Sequence, residues 1–122
     1  MATNAYDIKL ETRFAPLEFM DIKAIADSQQ PWWNQTLCKV NDCVVRLGVV
    51  QGDFHWHKHD NEDEFFYVME GKFIIELEGG RKVELLPGQG FTVPRGVMHF
   101  PHAPERTVIL MMEGAGVIPT GN

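Results

Sequence analysis

The sequence predicts an all-β domain, either a sandwich or a small barrel, on three observations. Short apolar runs recur along most of the chain, separated by turn residues. The 11 glycines and 7 prolines interrupt the sequence too often for long helices. At 122 residues there is material for one core and one domain, with roughly two-thirds of the chain surface buried on folding.

The elements follow in order. Residues 20–28 (MDIKAIADS) fit a short helix, with Asp21 as cap and Ile22, Ile25 and Ala26 on one face; an extended arm fits them as well. Gln29-Gln30-Pro31 ends that segment. Residues 36–40 and 43–50 flank Asn41-Asp42, a pair that tolerates positive φ, and read as a hairpin. In that register Val40 faces Cys43 and Cys38 faces Val45. The cysteines are then diagonal, poorly placed for a disulfide, and read as small reduced core residues. Further strands are expected at 54–59, 64–69 and 72–77, the last two joined by Glu70-Gly71. Glu78-Gly79-Gly80 turns into 82–85, and Pro87-Gly88-Gln89-Gly90 into 91–93. Pro94-Arg95-Gly96 turns into 97–100. Residues 107–112 (TVILMM) read as a strand buried on both faces. The expected organisation is an N-terminal arm (1–34), a barrel (35–114) and a C-terminal tail (115–122).

Composition removes several function classes. The net charge of −6 opposes binding to nucleic acid or an anionic membrane. No segment approaches the ~20 apolar residues of a membrane span, and the N-terminal residues lack a signal-peptide core. A cytoplasmic domain is the expectation.

The residues that carry chemistry cluster in sequence. His55, His57 and His59 alternate, so on a strand they share a face. Glu64 follows at the start of the next strand, and His99 comes after the Pro94-x-Gly96 turn. Three imidazoles and one carboxylate suit Fe, Mn, Ni, Cu or Zn better than Ca or Mg. Residues 52–71 resemble the first motif of the cupin superfamily, H-x-H-x4-E-x6-G, on His57, His59, Glu64 and Gly71. Residues 88–99 resemble its second motif, G-x5-P-x-G-x2-H, on Gly88, Pro94, Gly96 and His99. Gly52 lies one residue closer to the first histidine than the pattern has it, and Ala103 stands where an asparagine is usual. The block W-H-x-H…D-E-x-F-x-V-x-x-G and the tail at 116–122 are similar to small one-domain cupins, often named mannose-6-phosphate-isomerase-like. That label describes a fold rather than a reaction.

The resemblance implies a small antiparallel jelly-roll β-barrel. It also implies a metal site of His57, His59, Glu64 and His99 holding one divalent transition metal ion. It points to a metal-dependent enzyme acting on a small organic molecule, with oxygenase-type chemistry first and isomerase or lyase chemistry second. A non-catalytic small-molecule binding or sensing cupin is the alternative. A homodimer that covers apolar strand faces is expected.

Other residues carry two readings. His55 is the candidate catalytic proton shuttle, or else a strand-edge residue. His102 has the opposite parity to His99 and reads as outward. Asn61-Glu62-Asp63 is a solvated loop or a tuning charge. Trp32-Trp33 packs over a barrel end or a partner, or forms a platform. Phe65 and Tyr67 face away from the metal. Arg95 is a turn residue or an anion contact at the pocket mouth. No cluster of inward-facing Arg and Lys is evident.

Overall fold

Strand β8 (His99–Gly114) is the spine on which the other strands assemble. A computed structural model of the protein describes residues 6–121. Before β8 come β1 (Asp7–Lys9), α1 (Ile22–Asp27), β2 (Trp33–Val40) and β3 (Cys43–Asp53). They are followed by β4 (Glu64–Glu70), β5 (Phe73–Leu77), a 3-10 turn (Glu78–Gly80), β6 (Lys82–Leu85) and β7 (Gly90–Val93). One eight-stranded sheet runs β1-β2-β3-β8-β4-β7, with β5 pairing both β8 and β6. Among the described residues the ladder rolls over on itself without closing into a ring.

The roll arises because the two ends of β8 have different neighbours. Its C-terminal part lies between β3 and β4, in register Arg46↔Met111 and Phe66↔Met111. Its N-terminal part pairs with β5 through Leu77↔His99 and Ile74↔His102. A bulge between Val50 and Gly52 lets β3 follow both parts. Sequence expectation placed two strands here, at 97–100 and 107–112. Residues 99–103 pair with β5 and β3 and residues 107–114 with β3 and β4, so the two runs are ends of one strand that passes through an irregularity at 104–106.

Burial alternates across the sheet as its period requires. One face of β3, β4 and β8 packs Val50, Phe66, Val68, Ile109 and Met111 into the interior. The opposite face of β2 and β3 holds Trp33, Leu37, Leu47 and Val49, covered by Ile25 and Ala26 of α1. Asp21 caps that helix by accepting from the Ala24 N–H at 3.1 Å. The Arg106 guanidinium donates to the Ala26 carbonyl at 2.7 Å, tying the helix end to β8. The helical alternative for the arm is therefore the one realised, and β1 adds a parallel strand beside β2 that the sequence did not reveal.

The β2–β3 hairpin has the expected register, Val40↔Cys43 and Cys38↔Val45, with Asn41 at φ 54°. Both cysteines are free, as expected, but neither is in the core: Cys38 is half-buried and Cys43 exposed. The hairpin tip extends past the packed layers, so alternation there no longer selects an inside. The run 107–112 is buried except at Leu110, which is half-buried, and at its end, where Met112 is 51% exposed. No helix among the described residues is long and apolar enough to cross a membrane.

The expected strand at 54–59 is absent. Only His57 pairs there, in an isolated antiparallel bridge to His99. Phe54 donates its N–H to the Pro101 carbonyl at 3.0 Å, but Pro101 has no N–H to return. The ladder therefore stops, and the segment is free to curve over the open end of the roll.

Gly71 makes the β4–β5 turn at φ 87°. A Cβ there would lie 2.6 Å from the Arg106 carbonyl oxygen and collide with the Thr107 hydroxyl. That hydroxyl accepts from the Lys72 N–H at 3.0 Å, so the turn and the spine strand are one unit. Gly71→Ala should lower stability by about 2–4 kcal/mol, combining left-handed backbone strain with displacement of a rigid strand. Urea denaturation of the variant beside wild type measures this; equal midpoints would contradict the close approach.

Candidate metal centre

His57, His59, Glu64 and His99 are buried together, and one potential ligand atom from each lies within 4.8 Å of all the others. Glu64 comes from the first residue of β4 and His99 from the first of β8. The two remaining ligands come from the curved segment between β3 and β4. Three backbone contacts fix this arrangement. His57 N–H donates to the His99 carbonyl at 3.0 Å, and His99 N–H returns the bond to His57 at 2.8 Å. Gly96 N–H donates to the His59 carbonyl at 2.8 Å, tying the Pro94-Arg95-Gly96 turn to the third histidine.

Hydrogen bonding also sets the imidazole tautomers. Nδ1 of His57 lies 3.0 Å from the His55 carbonyl, and Nδ1 of His99 lies 3.0 Å from the Val97 carbonyl. A carbonyl oxygen only accepts, so each Nδ1 carries the proton and each Nε2 presents a lone pair. Nε2 of His99 is fully buried without a hydrogen-bond partner, and faces Glu64 Oε1 at 3.7 Å. Nε2 of His59 lies 3.2 Å from the same oxygen. A buried lone pair aimed at a carboxylate is poorly satisfied by protein alone. A cation between them resolves that, so the donor set fits a divalent transition metal.

Charges in the cluster follow burial. Burial lowers the His57 pKa to about 4, helped by neighbouring His99 and His59, so His57 is neutral at pH 7 and ready to ligate. Burial alone would raise Glu64, but the facing imidazoles and the carboxyl of Glu113 outweigh it and hold Glu64 well below the usual carboxylate range. Glu113 stands opposite Glu64 in the β4–β8 register and is itself buried. Burial and then the Glu64 charge push it well above that range, so it keeps its proton at neutral pH.

The cavity beside the cluster is small, with about 40 Å³ of free interior. Its walls are mainly apolar, including Trp32, Phe54, Phe66, Phe73, Ile109 and Met111. Arg46 and Asn34 are its polar lining beyond His57 and Glu64. Trp32 thus contributes to the pocket, whereas Trp33 packs beneath the helix. The tail closes over the mouth: Pro119 lines the cavity, and a Cβ on Gly121 would sit 2.8 Å from the His57 Cβ.

His55 is not among the cavity-lining residues. Its Nε2 donates to the Thr120 carbonyl at 2.8 Å, which leaves Nδ1 to accept from the Tyr6 hydroxyl at 3.4 Å. Its ring stacks on Phe54 at 4.1 Å. In this position it joins the two chain ends above the site. His102 points outward and pairs with Glu76 at 2.9 Å. Arg95 is exposed, and its N–H donates to Asp63 at 2.9 Å, so the acidic loop braces the His99 turn. Ala103 is buried in the apolar core.

Sequence reading missed Arg46 and Glu113. A signal existed: each has the parity of inward apolar neighbours on its strand, Val44 and Val50 for one, Ile109 and Met111 for the other. Isolated charged residues in apolar runs drew no attention without the register that groups them.

Comparison with known proteins agrees with this geometry. Residues 43–114 match the cupin domain family, Cupin_2. The chain belongs to the cupin family. This cupin is 35% identical over 80 residues to uncharacterized protein YdbB of Bacillus subtilis (strain 168), covering 66% of this chain and 71% of that one. A cupin-2 domain containing protein from Shewanella frigidimarina superposes with TM-score 0.72 at 31% identity, over 79% of this chain and 93% of the other. KdgF from Halomonas sp. gives TM-score 0.62 at 26% identity, over 69% and 80%. The fold of this cupin is the small all-β jelly roll that its two motifs implied.

The low pKa of His57 has a consequence for the metal-free protein. The unfolded histidine, near 6.5, takes up its proton before the folded one, near 4. The contribution of neutral His57 is therefore complete above about pH 6.5 and is lost as the pH falls toward 4, at a cost of about 2–3 kcal/mol. Urea midpoints of metal-stripped wild type and His57→Gln across this range measure it. Wild type should lose stability more steeply; parallel curves would remove His57 as the cause.

Proposed function

We propose that this cupin is a metal-dependent enzyme acting on a small organic molecule, with oxygenase-type chemistry as its leading class. The observation that carries the reading is the convergence of three imidazoles and one carboxylate, two of which, His57 and Glu64, line a small, mainly apolar cavity. When bound, a divalent transition metal supplies a Lewis-acid or redox centre there. The protein's own residues do the rest. His57, His59, Glu64 and His99 hold the ion, and the exchanged bonds between His57 and His99 keep two donors aimed at one point. The aromatic walls and the tail exclude water. Among the described residues, no side chain lining the cavity beyond the ligands is an acid or base suited to move a proton, which favours chemistry centred on the metal.

One observation supports lyase or isomerase chemistry as a second reading. The buried Glu113, held toward its protonated form by burial and by the Glu64 charge, stands opposite Glu64 in the strand register. A non-catalytic binding cupin would use the same cavity without turnover.

Anaerobic purification followed by elemental analysis tests the metal first. Wild type should retain about one equivalent, and His57→Ala and His99→Ala should each lower affinity by more than about 100-fold. Oxygen uptake by the iron-loaded protein over a panel of small organic substrates then separates the classes. Uptake supports the oxygenase reading, and turnover without uptake supports the second. Equal metal content in wild type and both alanine variants would overturn the proposal.

A further inference from the structure

Arg46 is a buried cation that the metal centre does not use. It lies on β3, is 3% exposed, and lines the same cavity as His57 and Glu64. One terminal nitrogen donates to Thr36 Oγ1 and the other to Asn34 Oδ1. Both acceptors come from β2, where Thr36 is directly opposite Arg46 in register. These neutral oxygens orient the guanidinium plane without cancelling its charge. Among the described residues no carboxylate oxygen lies within 4.0 Å of Arg46, and its buried Nε has no hydrogen-bond partner. Glu113 and Glu64 act on its charge only from beyond that distance.

A buried guanidinium without a paired anion is costly by several kcal/mol. Its planar donor fork matches a carboxylate, and such pairs are charge-assisted. The cavity admits only a few non-hydrogen atoms. Its polar lining comes from two parts of the fold, Arg46 with Asn34 from β2–β3 and His57 with Glu64 from the cluster. We propose that Arg46, held by Thr36 and Asn34, is the anion subsite of the cavity, and that the ligand is a small monocarboxylate. A second oxygen of that ligand, a hydroxyl or carbonyl, faces the metal side. This names the substrate class for the reading above and rests on it for the second oxygen alone.

The test uses the zinc-loaded full chain, with glycolate as the carboxylate probe and ethylene glycol as its neutral counterpart. The Arg46 Nε–H resonance should shift on titration with glycolate and stay put with ethylene glycol. Arg46→Met should weaken glycolate binding at least tenfold with zinc content unchanged. Arg46→Lys, which keeps charge and much of the volume, should fall between. Asn34→Ala should weaken it a few-fold, because the fork loses one of its supports. Should Arg46→Met fail to fold, the wild-type resonance and the lysine variant still decide. Equal binding of the two probes, or undiminished glycolate binding in Arg46→Lys and Arg46→Met, would overturn the proposal. Acetate added to metal-free protein separates this from the metal reading. A shifted Arg46 Nε–H in a chain that retains no metal keeps the anion subsite and removes the metal; metal retention without any carboxylate response does the reverse.

Discussion

The reciprocal pair of backbone hydrogen bonds between His57 and His99 is the constraint on which the site depends. It joins an irregular segment to the first residue of the spine strand, so both imidazoles take their direction from one rigid element. The pairing stops there because Pro101 cannot extend it. A longer ladder would have kept residues 54–59 extended, with all three alternating histidines on one face. Ending the ladder lets His57 and His59 converge while His55 turns toward the chain ends. The carbonyls that fix the tautomers, of His55 and Val97, lie two residues before their own imidazoles, so the local turn selects which nitrogen points inward.

The sheet supporting this pair is buried on both faces, and that determines what the rest of the chain must do. Helix α1 covers the outer face of β2 and β3, so the inner face can be given over to the cavity. A chain of this length could not otherwise bury Trp33, Leu47 and Val49 while also lining a pocket with Trp32, Phe66 and Met111. The tail supplies the remaining wall through Pro119 and Gly121. Tyr6, His55 and Thr120 then link arm, ligand segment and tail in one chain of contacts.

Much of this was legible from spacing. The two motif blocks picked out the four residues that the fold buries together, and turn residues placed the β2–β3 hairpin and most of the strands from β4 to β7. What spacing could not show was tertiary in origin. Alternating histidines mimic a strand's period whether or not a partner exists to pair with them. A proline in the partner segment decides the matter, and the register that brings Pro101 opposite Phe54 is not written in either segment alone. Arg46 and Glu113 were missed for a related reason. A single charge in an apolar strand becomes informative only when the register sets it beside Thr36 or Glu64.

Charge balance ties these residues together. Ligating imidazoles are neutral, so within the four-residue cluster Glu64 is the member that brings negative charge. A divalent ion exceeds that single charge, and Arg46 adds another positive charge within the same dry interior. In a low-dielectric cavity such a surplus is strongly unfavourable unless an anion enters. With the proposed ion in place, the interior would then favour a negatively charged guest, and that preference would arise from burial and register before any contact with a substrate is considered.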